Sequence, residues 1–168
     1  MIENYSLLQK ILHWLSAAII IWATISGFYI GFFNVNYETK ELISFFNVAI
    51  TTILIPFFMV RLYIYIHSND FNAWSQLEVN KLLPKIAHFV IYVNIIIVLI
   101  TGVTMMDRDI NVFGFIIPQP ITDDYLNSIS NSIHIFSCGS LAFLILLHIS
   151  AVVIHKLKGN CVMKRMKF

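Results

Sequence analysis

Charge is scarce in this chain. Asp, Glu, Lys and Arg make up 12% of its 168 residues, against about 25% in an ordinary soluble domain. Too little polar surface remains for a water-soluble fold of this size. Cysteine is nearly absent too, with only Cys138 and Cys161. Cys138 falls inside an apolar run and Cys161 in the tail beyond it, so a disulfide between them is implausible. Alternation of apolar and polar residues is missing, which argues against a β-barrel. There is no phosphate loop, no Ser/His/Asp arrangement and no nucleic-acid surface. The basic tail is explained by topology and anionic lipid.

What is present is apolar length. The runs Ile11–Phe33, Leu42–Ile66, Ile86–Met106 and Ile129–Leu157 are nearly free of charge. A membrane span needs about 20 apolar residues. The expectation is an all-α membrane protein, a single four-helix bundle filling residues 1–168. Its helices are expected at about 12–33, 42–66, 86–106 and 129–157. The first run is too long for a signal peptide, has one basic residue before it and lacks a clear cleavage site. It is read as a retained span.

The segments between the runs sort by charge. Lys10, Arg61, Lys81, Lys85, Lys156, Lys158, Lys164, Arg165 and Lys167 lie on the side of the termini and the 2–3 connection. Lys40 and Arg108 alone lie on the other. The positive-inside rule makes the first side cytoplasmic. Glu38, Glu41, Asp107, Asp109, Asp123 and Asp124 lie outside, with Glu3, Asp70 and Glu78 inside. The outer surface is therefore net negative. Pro56 is expected to kink helix 2, and Pro84 to open helix 3. The long 3–4 connection, with Pro118 and Pro120, is expected to cap the outer surface.

Histidine carries the chemistry. His134 and His148 are 14 residues apart on helix 4. Four helical turns put both on one face, roughly 21 Å apart along the axis. Imidazole inside a bilayer is a functional suspect by default. Depth places His13, His88 and His148 together in the inner half, with His155 at the exit of helix 4. His134 is alone in the outer half, with Asn47 at matching depth. A histidine at a helix end, such as His13 or His155, is more often interfacial than a ligand, and His67 in a loop more often still. Opposed histidines suit a b-type haem. Zinc and a proton relay compete, although no cysteine or carboxylate cluster completes a tetrahedral zinc site. There is no C-x-x-C-H for covalent c-type attachment. Gly27 and Gly31, four apart, fit either close helix packing or room for a flat cofactor.

Several stretches carry a family resemblance. They are Ser6, Gln9 and Leu12-His13-Trp14-Leu15, then Gly31-Phe32-Phe33, Val60-Arg61-Leu62 and His88-Phe89-Val90-Ile91-Tyr92. Thr101-Gly102-Val103-Thr104-Met105-Met106 and the His134/His148 spacing with His155 complete the set. The chain resembles the bacterial cytochrome b561 family of small four-helix inner-membrane dihaem proteins. These are related to the cytochrome b subunits of hydrogenases and formate dehydrogenases.

The resemblance implies an inner haem on His13 and His148 and an outer haem with His134 as one ligand. The outer haem's second ligand should be a helix 2 histidine, where this chain has Asn47. That leaves an absent haem, a five-coordinate one on His134, or one completed by another group. The resemblance also implies electron exchange with ubiquinone or menaquinone near His88 and His155. One similar activity is superoxide oxidation at the outer face, in which case the protein is an oxidoreductase. The negative outer surface opposes steering of an anion. The alternatives are a membrane-anchor cytochrome b subunit with a partner protein, or a structural homologue with one haem or none.

Overall fold

The computed structural model describes residues 5–67 and 79–159, with side chains described at all but 79–81. The charges at Glu3, Asp70, Glu78, Lys81, Lys164, Arg165 and Lys167, and Cys161, lie outside the described residues or side chains. Four helices, α1 (Leu7–Phe32), α2 (Tyr37–Ile66), α3 (Val79–Thr104) and α4 (Asp124–Leu157), dominate the chain. All four contain segments long and apolar enough to cross a membrane.

The helices begin earlier than the apolar runs do, because their caps are polar. Ser6 and Gln9 form a capping box ahead of α1: the Gln9 amide donates to Ser6 Oγ and the Ser6 amide to Gln9 Oε1. Asn36 caps α2 and Asp123 caps α4 through their side-chain oxygens. Pro84 does not open α3. It sits in the sixth position of that helix, whose first turn starts at Val79. The apolar count missed that turn because its residues include Asn80 and Lys81. α2 continues through Pro56 without a break in the helix.

α1 packs along α2, and α3 along α4, while α2 meets α3 over a shorter seam. α1 with α4, and α2 with α4, make at most marginal backbone contact. The core is small and lies on the central seam: Leu54, Phe58, Tyr92, Ile95 and Leu141. Most large apolar side chains point outward, among them Trp22, Ile25, Phe136 and Leu146. In water such a surface would be a liability; in lipid it is solvated.

The 3–4 connection contains structure that the sequence patterns did not suggest. Two short strands, β1 (Ile110–Val112) and β2 (Phe115–Ile117), pair antiparallel. Phe113 (φ 50°) and Gly114 (φ 97°) form the two-residue turn. Positive φ at both positions gives the twist that such a hairpin needs. Ile110 is fully buried, and Phe113 packs edge-on against Phe45 and Phe46 of α2. Arg108 pairs with Glu41 at 3.3 Å. The connection thus packs on α2 at this end of the bundle.

Phe58 is 1% exposed and its neighbour Phe57 is 42% exposed. Phe58→Ala should cost roughly 3 kcal/mol or more, and Phe57→Ala far less. Thermal unfolding of both variants in detergent measures the difference. Equal losses would contradict this core.

Candidate functional site

Polar side chains gather at two depths. At the end that carries the N-terminus of α1, the basic end, all four helices contribute. Arg61 of α2 donates from a guanidinium nitrogen to His13 Nδ1 of α1 at 2.9 Å. Its guanidinium also lies 5.1 Å over the ring of Tyr92 on α3. Tyr92 stacks on Tyr65 and tilts against Phe58, which fixes its ring. His88 of α3 meets His148 of α4 edge to face, with centroids 5.2 Å apart. His88 and His148 lie within electrostatic range of His13. The expected inner layer of His13, His88 and His148 is therefore assembled.

The partners set the tautomers. Guanidinium can only donate, so His13 Nδ1 accepts and its proton sits on Nε2. A carbonyl can only accept, so His88 Nδ1–H donates to Pro84 O at 2.8 Å. His148 makes no hydrogen bond among the described residues. His155 is exposed in the last turn of α4, two turns beyond His148. His67 caps α2, donates to Tyr63 O and lies tilted against the Tyr63 ring. It takes no part in the cluster.

Toward the hairpin end, a cavity of about 1300 Å³ opens between the helices. Typical small-molecule pockets are roughly 300–1,000 Å³. His134 lines it from α4 and Asn47 from α2. His134 Nδ1–H donates to Val98 O at 3.1 Å, with Thr101 Oγ1 at 3.2 Å as a second acceptor. Both partners are on α3. The approach depends on Gly102, where an added Cβ would lie 3.1 Å from His134 Cε1. A histidine whose Nδ1–H is held by a carbonyl presents its Nε2 lone pair, as metal-bound histidines commonly do. Cys138, one turn along α4, places its thiol 3.4 Å from that Nε2.

Opposite, Ser26 Oγ of α1 lies 2.8 Å from Asn47 Oδ1 and donates to it. The same hydroxyl stands 2.7 Å from Trp22 O, so one proton serves both acceptors. Asn127 also lines the cavity, and its buried Oδ1 has no partner among the described residues. A buried acceptor of this kind calls for a water or a bound group.

Several participants were not singled out as site residues from sequence. Arg61 was counted with the topogenic charges, although a cation within an apolar run is itself a signal. Tyr92, Ser26, Thr101 and Cys138 have no signal in spacing alone, because their roles arise across helix pairs. Gly27 and Gly31 are decided by the structure. Both line the cavity, and a Cβ on either would meet nothing within 4 Å. They leave room and do not mediate tight packing.

It follows that Gly27→Ala with Gly31→Ala should fold normally. Alanine is favoured over glycine in helices by about 1 kcal/mol, so the unfolding midpoint in detergent should hold or rise. A marked fall would restore the close-packing explanation.

No individual curated protein matches the chain. Residues 4–168 do match the sequence profile of prokaryotic cytochrome b561. Four apolar helices, histidines at two depths and this match over nearly the whole length agree. The chain belongs to the prokaryotic cytochrome b561 family, as a multi-pass bacterial membrane protein that carries b-type haem for electron transfer.

Proposed function

We propose that His13 and His148 hold a haem at the basic end, and that electrons pass between it and a membrane quinone beside His88 and His155. The observation that carries this is the convergence of His13, Arg61, His88 and His148 from four helices. Haem supplies the one-electron chemistry when bound.

The donor set fits that group. α1 and α4, which bear the two ligands, leave space between their backbones. His148 has no competing hydrogen bond among the described residues. His13 must change partner. A ring that binds iron through Nε2 carries its proton on Nδ1, which cannot face a guanidinium. The His13–Arg61 bond and such ligation exclude one another. Arg61 has no carboxylate partner among the described residues, so on release it is free for an anionic group, such as a haem carboxylate. It serves as a positioning residue.

His88 suits the quinone. A quinone takes up protons with its electrons. With Nδ1–H fixed on Pro84 O, the Nε2 lone pair of His88 can accept a hydrogen bond from a quinol hydroxyl. His155, exposed at the end of α4, can relay the proton to water. The charge bias supports a cytoplasmic location for this end and both termini, in a bacterial inner membrane. A net negative hairpin-side surface weighs against superoxide as the electron donor.

His148→Ala and His13→Ala should each abolish the low-spin spectrum of this haem in dithionite-reduced protein. If that spectrum survived unchanged, the ligand assignment would be wrong. His88→Leu should keep the spectrum and slow haem reduction by a soluble quinol at least tenfold. An unaltered rate would remove His88 from the quinone site.

A further inference from the structure

The hairpin-end cavity has a second story. His134 presents Nε2 with its other nitrogen anchored to Val98 and Thr101. Gly27 and Gly31 leave the facing wall open. One half of a haem site is therefore built. The other half is not: α2 offers Asn47, and a carboxamide is a poor ligand for haem iron. The Cys138 thiol, one turn away on the same helix, donates to Nε2 of His134 at 3.4 Å, so iron binding there requires the thiol to turn aside; it stands beside His134 and not across from it.

Asn47 is nonetheless oriented. Its Oδ1 takes the Ser26 hydroxyl, and its Nδ2 makes no hydrogen bond among the described residues. That amide group is available to donate to something in the cavity. The charged lining includes Glu41, Asp107 and Asp124 with Lys40 and Arg108, and Glu41 is paired with Arg108. The remainder, Lys40 with Asp107 and Asp124, is net acidic, which disfavours a small anion and is indifferent to a neutral molecule; Lys40 is the cation left at this end for a haem carboxylate.

We propose that this cavity holds a haem on His134 alone. Its remaining axial position is left to a small neutral diatomic ligand of the dioxygen kind, with the Asn47 amide as hydrogen-bond donor. The proposal rests on haem binding by this chain but not on the quinone site at the other end. Asn47 replaces a ligand by a ligand-sensing group, and Ser26 is the residue that orients it.

Carbon monoxide is the probe, added to the purified holoprotein after reduction by dithionite. The expected result is about two haems per chain, of which one binds carbon monoxide and one remains low-spin. His134→Gly should lose the carbon monoxide-binding fraction and regain it with added imidazole, while the low-spin haem persists. Asn47→His should yield two low-spin haems, neither binding carbon monoxide. Asn47→Leu should keep carbon monoxide binding but move the bound C–O stretch to higher frequency. It should also speed dioxygen dissociation about tenfold, as loss of one hydrogen bond implies.

Two haems with no carbon monoxide binding would overturn the proposal, pointing to Met105 or Met106 of the lining as the missing ligand. One low-spin haem alone would overturn it and leave the basic-end site standing. A C–O stretch that falls or stays fixed in Asn47→Leu would overturn the role of the amide. Loss of all haem from the unaltered chain would instead sink the broader haem reading.

Discussion

A ring nitrogen left without a partner in hydrocarbon costs several kcal/mol, and the placement of His13, His88 and His134 follows from that cost; His148, with no hydrogen bond among the described residues, is the exception. His134 settles its Nδ1–H on a helix carbonyl of α3, His88 on a carbonyl of its own helix, and His13 accepts a hydrogen bond from Arg61. Each choice dictates a tautomer. Nε2 is then the acceptor in His134, where the Cys138 thiol lies at 3.4 Å, and in His88, whereas His13 carries its proton on Nε2. Satisfaction of a polar group and readiness to bind iron are thus one question at each position.

The two ends of the bundle answer it differently. The basic end is crowded: four helices bring three histidines, an arginine and a stacked tyrosine pair together. The hairpin end is open, with one anchored histidine, two bare glycines and an oriented amide around a large cavity. A single seam of Leu54, Phe58, Tyr92, Ile95 and Leu141 holds the helices in place between them. Tyr92 belongs to both that seam and the Arg61 cluster, so packing and electrostatics are joined at one residue.

Charge follows the same division. Basic residues cluster where the termini of the bundle lie, and acidic ones crowd the hairpin side. The bias serves insertion, but it also selects what each end meets. An acidic rim repels anions and leaves neutral molecules alone, while half-buried Arg61 offers an anion a cationic partner at the other end.

Four spans and the depth shared by His13, His88 and His148 were legible from apolar length and helical spacing, because both are properties of a single helix. The absence of a helix 2 histidine at Asn47 was legible too. Helix starts were missed by several residues, since polar caps carry no apolar signal. The hairpin at 110–117 was missed because three-residue strands have no period to detect. Only the tertiary structure decided that Gly102 admits His134 to a carbonyl, that Arg61 holds His13 and that Ser26 turns Asn47. Each is a match between two helices, set by their relative rotation and depth, which a residue's place along its own helix does not contain.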